Sequence, residues 1–268
     1  VDSVVVCPPT YAMYGVFAAI NDVDVVSVPL TPAPDYCLRP DAIVAALNRR
    51  TKVIFLCSPG NPTARLLARR DLEAVLEAAT GSIVVVDEAY VDFALGDERL
   101  EGQASTVPLF RSGKYPNLIV MQTLSKAWGL AGARLGMAFM PQPIIEVFAK
   151  VKAPFNISVL TEDVVLRALA RPDLVSERVR AILTERERVA TALQALQPKI
   201  CEVYPSEANF LLFRAPHAAA LCSALAQEHG IVVRYRGSMP LCGDCVRVTI
   251  GTQAENDRFL QALGKVLA

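Results

Sequence analysis

The sequence predicts an α/β protein built on a mostly parallel sheet. Over residues 1 to about 155, short apolar runs alternate with helical stretches, a pattern typical of strands connected by crossover helices. Runs such as "KVIFLC" and "SIVVVD" are apolar almost throughout rather than at every second residue, as expected for strands covered on both faces. The predicted strands are 4–8, 24–30, 52–58, 82–88, 117–123 and 135–141, and the predicted helices are 12–20, 40–49, 68–79 and 126–133.

After residue 155 the pattern changes to that of a smaller α/β unit. Pro172 fits the first turn of a helix running to about Leu196, along which apolar residues recur at three- and four-residue steps. The tail predicts strands at 208–214, 231–235 and 245–250 and helices at 216–228 and 253–267. We therefore expect a large domain over residues 1–158, with an N-terminal part missing, and a linking helix with a small C-terminal domain over 159–268.

Composition excludes several classes of protein. The 268 residues carry 27 Lys and Arg against 27 Asp and Glu, so nothing indicates nucleic acid or an anionic membrane as a partner. No apolar run approaches the ~20 residues that span a bilayer. The seven cysteines are scattered, which favours free thiols and a reducing, cytoplasmic location. The chain does not begin with methionine, so we keep an organelle as the alternative.

Cys242 and Cys245 form the single C-x-x-C of the chain. A structural zinc ion needs about four ligands, and neither histidine has a metal-ligand spacing to this pair. We interpret the pair as two thiols in a turn and expect no metal.

Polar side chains follow three of the predicted buried strands. The third strand leads to Asn61, the fourth to Asp87 and Tyr90, and the fifth to Ser125 and Lys126. Ligands of doubly wound sheets bind beyond the carboxyl ends of the strands. If these strands are neighbours, an amide, a carboxylate, a phenol and an amine converge at one edge.

Each of these residues also has a structural explanation. Asn61 before a proline suits an ordinary turn, Asp87 suits a helix cap, Tyr90 suits the edge of a core, and Lys126 can extend to the surface. We favour the functional interpretation because all four occur together.

The set fits the chemistry of pyridoxal phosphate. A lysine at its ordinary pKa of about 10.4 is protonated and a poor nucleophile, but an amine in an apolar run such as that around Lys126 can be desolvated or held as a Schiff base. Pyridoxal phosphate uses a lysine in this way and needs an acidic partner, here Asp87, for its ring nitrogen. Ser125 and Arg134 suit the cofactor phosphate, because hydroxyls and guanidinium groups bind phosphate oxygens.

Four motifs, "CSPGNPT", "DEAYVDF", "TLSKAWGLAGARLG" and "VRVTIGT", resemble in order and spacing the fold-type-I pyridoxal-phosphate aminotransferases, and among them the histidinol-phosphate aminotransferase family. The resemblance implies a mostly parallel large-domain sheet of the seven-stranded type and a homodimer. It implies that Lys126 is the Schiff-base lysine and proton shuttle. It also implies a cofactor-binding role for seven residues: Tyr11, stacked on the ring, with Asn61, Asp87, Tyr90, Ser125, Lys126 and Arg134.

The same resemblance implies a substrate site for glutamate or 2-oxoglutarate and for histidinol phosphate. Arg247 matches the family's arginine for the substrate anion, Arg234 matches a second arginine, and Asn209 matches an asparagine near the substrate. Two arginines fit a phosphate dianion better than one does.

Two departures from the family and three alternative functions remain open at this point. Ala64 stands where the family motif has glycine, which strains the backbone if that position has a positive φ. The family also has an N-terminal segment over the active site, so we expect this chain alone to bind cofactor poorly.

An aromatic aminotransferase, a phosphothreonine decarboxylase and a catalytically idle scaffold are the alternatives. A nicotinamide dehydrogenase is disfavoured because no G-x-G-x-x-G follows a strand.

Overall fold

A computed structural model describes residues 1–100 and 102–268 and contains two sheets. The first sheet has the order β2-β1-β3-β4-β5-β6, with only β6 antiparallel to its neighbour. Its strands are β1 (Ser3–Val6), β2 (Asp24–Ser27), β3 (Thr51–Cys57), β4 (Ile83–Asp87), β5 (Leu118–Thr123) and β6 (Gly136–Phe139). The mostly parallel sheet is confirmed, although the described residues supply six strands rather than seven, one for each apolar run that predicted a strand.

Helices cover the connections of this sheet. They are α1 (Met13–Ile20), α2 (Pro40–Ala46), α3 (Arg69–Ala78), α4 (Val91–Leu95), α5 (Val107–Arg111), α6 (Gln142–Val151) and α7 (Val159–Leu169). The main hydrophobic core lies between one sheet face and α2 and α3, and includes Ile54, Leu56, Val84 and Val86. These side chains come from central strands, which is why their runs read as apolar throughout.

The helix predicted over residues 126–133 is wrong. The segment forms consecutive turns, with a 3-10 turn only at Ala131–Ala133. Gly129 has a φ of +69° and Arg134 a φ of +54°, and neither conformation continues a right-handed helix. Local hydrogen bonds replace the helical ladder, with the Leu130 amide donating to the Leu124 carbonyl.

The second sheet is antiparallel and has the order β7-β8-β10-β9. Its strands are β7 (Glu202–Val203), β8 (Phe210–Arg214), β9 (Arg234–Tyr235) and β10 (Cys245–Thr249), with β9 shorter than predicted and β7 not predicted. The helices of this part are α8 (Pro172–Gln194), α9 (Ala218–His229) and α10 (Gln253–Val266). They enclose a second core around Val189, Phe213, Leu225 and Phe259.

The long helix α8 joins the region of the first sheet to that of the second. The division into domains at residues 158 and 159 stays a prediction. No helix among the described residues has both the length and the apolar character needed to cross a membrane. All seven cysteines are free, and the described residues hold no cluster of side chains suited to a metal ion.

Candidate active site

The strands that end in polar residues are neighbours in the first sheet. β3, β4 and β5 are adjacent and parallel, with Cys57 opposite Asp87 in register. Their carboxyl ends therefore meet at one edge, as the sequence predicted. There a cavity of about 400 Å³ opens, which is within the usual size of a ligand site. This cavity, the central pocket, is lined by Tyr11, Cys57, Asn61, Asp87, Ala89, Tyr90, Lys126, Arg234, Arg236 and Arg247.

Asp87 lies at the end of β4 with both carboxylate oxygens engaged. The Tyr14 hydroxyl donates to Oδ2 at 2.6 Å, and the Ala89 amide donates to Oδ1 at 3.0 Å. Burial raises the pKa of Asp87 above its usual value, while these two bonds and the nearby Lys126 lower it. Hydrogen bonds to a carboxylate favour its ionised form, so the Tyr14 and Ala89 donors oppose the effect of burial on Asp87.

Lys126 faces the same pocket from the turn after β5. Its ammonium lies 5.4 Å from the centre of the Tyr90 ring. The residue is exposed at the pocket opening. Partial desolvation, followed by the charge of Arg247, still lowers the pKa of Lys126, and Asp87 opposes that shift. A lysine with a lowered pKa is a better nucleophile toward a carbonyl group.

The opposite wall of the pocket comes from the second sheet. Arg247 on β10 donates to Asn61 Oδ1 at 2.8 Å, and its guanidinium carbon lies 4.8 Å from the centre of the Phe210 ring. The Phe210 ring in turn meets Tyr90 edge to face at 5.1 Å. Asn61 and Tyr90 thus connect the sheet edge to the side of the pocket that carries Arg247.

Three predicted residues do not line the central pocket. Ser125 lies in the turn before Lys126 and accepts a hydrogen bond from the Thr123 hydroxyl at 3.0 Å. Arg134 is exposed and donates to the carbonyl of Ala131 in its own turn at 2.9 Å. Asn209 precedes the wall residue Phe210, and its buried Oδ1 has no partner. Their assigned roles stay predictions.

Three residues with contacts to the site were missed by sequence reasoning. Tyr14 follows Tyr11 at a helical spacing in "YAMY", which was the available signal. Cys57 is the last residue of β3 and lies opposite Asp87, where burial raises its pKa to about 12. Arg236 is two residues after Arg234 in "VRYRG".

The residues present fit pyridoxal phosphate. The central pocket offers an amine, a carboxyl group that accepts two hydrogen bonds, and a phenol close to the amine. The buried Nε atoms of Arg236 and Arg247 have no partner among the residues that the structure describes, which indicates that the pocket is built to receive anionic groups.

Comparisons with known proteins agree with this geometry. Residues 1–263 match the family aminotransferase class I and II. The chain is 46% identical over 262 residues to the histidinol-phosphate aminotransferase of Cytophaga hutchinsonii, covering 98% of this chain and 71% of that protein.

Two solved structures extend the comparison to the fold. The histidinol-phosphate aminotransferase of Clostridium acetobutylicum superimposes with a TM-score of 0.88 at 25% identity, covering 99% of this chain and 78% of that one. The histidinol-phosphate aminotransferase of Sinorhizobium meliloti, in complex with pyridoxal-5'-phosphate, superimposes with a TM-score of 0.86 at 26% identity. This match covers 100% of this chain and 71% of that one. The chain therefore belongs to the class I and II aminotransferase family, among relatives that are histidinol-phosphate aminotransferases.

Proposed function

We propose that this protein is a pyridoxal-phosphate-dependent transaminase acting between glutamate and an imidazole-acetol phosphate, with histidinol phosphate and 2-oxoglutarate as products, in histidine biosynthesis. The observation that carries the proposal is the convergence of Lys126, Asp87 and the arginine wall in one pocket. The kinship with histidinol-phosphate aminotransferases supports the choice of substrate.

Bound pyridoxal phosphate supplies an aldehyde carbon and a ring that accepts electrons. Lys126 would hold the aldehyde carbon, and Asp87 would keep a proton on the ring nitrogen. Tyr11, Asn61 and Tyr90 would orient the ring from its edge and face, and Ser125 and Arg134 would bind the phosphate from the turns after β5.

Side chains of the protein then transfer the proton and bind the anionic groups of the substrate. Lys126 Nζ takes the proton from the amine-bearing carbon of the substrate, a positioned transfer that is typically worth 10²–10⁴-fold in rate. Arg247 and Arg234 hold the substrate's carboxylate or phosphate, and Asn209 supports that wall.

The direct test is a Lys126→Ala substitution in the full-length enzyme. We expect the turnover of histidinol phosphate with 2-oxoglutarate to fall at least 10²-fold, because the transferring amine is lost. The visible absorption band on adding pyridoxal phosphate should also differ from the parent's. Lys265→Ala in α10 is the matched control, since Lys265 is exposed and outside the pocket. Retained turnover in the Lys126 variant would contradict the assignment.

Substrate choice is tested in the unmodified enzyme. Histidinol phosphate should have a higher kcat/KM as amino donor than phenylalanine, tyrosine or phosphothreonine. Faster turnover of an aromatic amino acid, or carbon dioxide release from phosphothreonine, would favour the two related enzymes instead.

Assembly and location belong to the same proposal. We infer a homodimer, because Phe155, Val159 and Leu160 near α7 are 99%, 79% and 80% exposed and such apolar surface favours association. Sedimentation equilibrium that returns the mass of one chain would contradict it. Seven free cysteines support a cytoplasmic location, which cell fractionation tests.

A further inference from the structure

Three arginines converge on one face of the second sheet. Arg234 and Arg247 are direct cross-strand partners between β9 and β10. The Arg236 amide donates to the Cys245 carbonyl at 2.8 Å, so the pairing extends one step beyond β9. Residues two apart on an extended strand point to the same side, and diagonal cross-strand neighbours are about 7–8 Å apart. All three side chains line the central pocket.

This cluster is electrostatically unfavourable as it stands. Like charges directly opposite each other on antiparallel strands are destabilising. Among the residues that the structure describes, no carboxylate forms a salt bridge with any of the three guanidinium groups. Asp87, which within the described part of the chain is the single carboxylate lining the pocket, already accepts two hydrogen bonds.

Arg236 carries much of this cost. Its Nε is buried and has no hydrogen-bond partner in residues 1–100 and 102–268. Burial, followed by the charges of Arg247 and Arg234, lowers the pKa of Arg236 below its usual value. A surface arginine with a purely solvated role would have neither feature, so the cluster is suited to an anion that carries more than one charge.

We propose that Arg236 is a third guanidinium of the substrate anion site and that it selects a phosphate dianion over a carboxylate. The inference rests on the proposed function, because that reaction uses one pocket for glutamate and for a phosphate monoester. A carboxylate offers two oxygens and one charge, and one guanidinium fork satisfies it. A phosphate monoester has three terminal oxygens and a charge of about −1.5 to −2 at neutral pH, and therefore gains more from a further fork.

The kinetic test compares Arg236→Gln, Arg236→Lys and a control. Arg236→Gln should lower kcat/KM for histidinol phosphate about 10- to 100-fold, as expected for charged hydrogen bonds, and change that for glutamate by less than about threefold. Arg236→Lys keeps the positive charge but lacks the two-pronged guanidinium group. Its kcat/KM for histidinol phosphate should lie between those of the parent and Arg236→Gln. The control is Arg214→Gln, on β8 beside Glu202 and outside the pocket. Its kcat/KM values for both substrates should match those of the parent. Equal losses for both substrates, or none, would overturn the inference.

A pH series separates charge selection from a packing role. The second pKa of a phosphate monoester is about 6, so the parent's KM for histidinol phosphate should rise as the pH falls through that value. The rise should be smaller in Arg236→Gln, which no longer favours the dianion. Parallel profiles in the two enzymes count against the inference.

Inorganic phosphate provides a readout that needs no turnover. In the enzyme loaded with pyridoxal phosphate, phosphate should raise the melting temperature of the parent more than that of Arg236→Gln. Without phosphate, Arg236→Gln should melt at the same temperature or higher, because the repulsion among the arginines is relieved. An equal phosphate effect in both enzymes, or a lower melting temperature of the variant without phosphate, contradicts the inference.

The two proposals can fail separately. A parent enzyme that does not turn over histidinol phosphate, but whose stabilisation by phosphate depends on Arg236, disproves the proposed function alone. A parent that turns over histidinol phosphate, with a glutamine variant of unchanged selectivity and unchanged phosphate response, disproves the role of Arg236 alone.

Discussion

The charge of Asp87 depends on the Tyr14 hydroxyl, which belongs to the first helix. The Tyr14 ring is 4% exposed, stacks on Phe55 at 4.7 Å and meets the edge of Tyr11 at 5.5 Å. Two aromatic neighbours therefore hold the ring, so the hydroxyl has one direction in which to donate. The carboxylate of Asp87 receives a short hydrogen bond from a group that is fixed before any ligand binds.

A Tyr14→Phe substitution should weaken cofactor binding and change its pH dependence. The hydroxyl favours the ionised form of Asp87, so its removal raises the pKa of a carboxyl group that burial already raises. The acid-side loss of pyridoxal phosphate binding should then move to higher pH, and the affinity should fall about 10- to 100-fold at neutral pH. Equilibrium titration with the cofactor across the pH range measures both effects.

Tyr115→Phe is the matched control for this experiment. Tyr115 is equally buried at 4%, but its hydroxyl donates to Glu73 at 3.2 Å, outside the pocket. Its removal should leave the binding profile unchanged. If the Tyr14 variant lost cofactor binding at the same acidic pH as the parent, the pKa of Asp87 would not depend on this hydrogen bond.

At the scale of elements, the connection from β3 to α3 shows how a loop holds a site residue. Asn61 lies in this loop, which is closed by a hydrogen bond from the Ala64 amide to the Gly60 carbonyl at 2.8 Å. A Cβ at Gly60 would collide with the side chain of Thr63. Ala64 has a φ of +60°, which meets the condition for strain at this position, and alanine is strained there by roughly 1–2 kcal/mol.

In an Ala64→Gly variant, two destabilising effects should nearly cancel the stability gained by relieving that strain. Glycine adds roughly 0.4–1 kcal/mol of chain entropy to the unfolded state, and the lost methyl group, 0% exposed, costs about 0.8 kcal/mol. We expect the free energy of unfolding to change by less than about 1 kcal/mol. Ala64→Val should destabilise by more than about 2 kcal/mol, since a branched side chain is strained at positive φ.

Chemical denaturation measures these changes, with Ala208→Gly as control. Ala208 lies in the same hydrophobic cluster and is 0% exposed, but it has no positive φ. Without strain to relieve, this control should lose about 1–2 kcal/mol. An Ala64→Gly variant that loses as much as the control would show that the loop is not strained at residue 64.

The elements also show where sequence patterns predict well. The strands of the first sheet were predicted because central strands buried on both faces have continuous apolar runs. The short helices α4 and α5 have five residues each, too few for a periodic pattern to be recognised. Residues 126–133 are mostly small and apolar, so their composition suited a helix, while their backbone is decided by positive φ at Gly129 and Arg134.

At the scale of the whole molecule, Arg186 connects helix α8 to the segment before β8 and to the segment after α4. The residue is 2% exposed and donates to the Ala208 carbonyl at 3.1 Å beside β8. It also lies 3.6 Å from Asp97, which follows α4. The helix that links the two parts of the chain is thus held by a buried charge rather than by apolar contacts alone.

An Arg186→Leu substitution should cost about 3 kcal/mol of unfolding free energy. Removing one partner of a buried ion pair typically costs 3–5 kcal/mol, and the remaining bond from Arg99 to Asp97 places this case at the lower end. Arg188→Leu, two residues later, should cost less than about 1 kcal/mol. Its own side chain is 38% exposed, and those of its partners Glu185 and Asp257 are 18% and 45% exposed. Equal losses in the two variants would show that the buried contacts of Arg186 stabilise the fold no more than the partly exposed ion pairs of Arg188 do.

Much of the candidate site could be predicted before the fold was known. Asn61, Asp87, Tyr90 and Lys126 follow buried strands, and the adjacency of β3, β4 and β5 brings them into one pocket. The exposure of Lys126 was left open by the sequence, because an apolar neighbourhood along the chain does not report which side of a turn faces solvent. The place of Arg236 in the candidate site was not predictable, because an arginine near a strand end is most often a solvated charge.

The sequence by itself determined which chemical groups stand at the ends of the buried strands, because burial on both faces leaves a continuous apolar run and the reactive residues interrupt it. Only the tertiary structure decided which distant groups complete the site. Tyr14 reaches Asp87 across 73 positions, and Arg247 reaches Asn61 across 186. Contacts of this kind depend on strand register and on the packing of one sheet against the other, and no local pattern of residues records either.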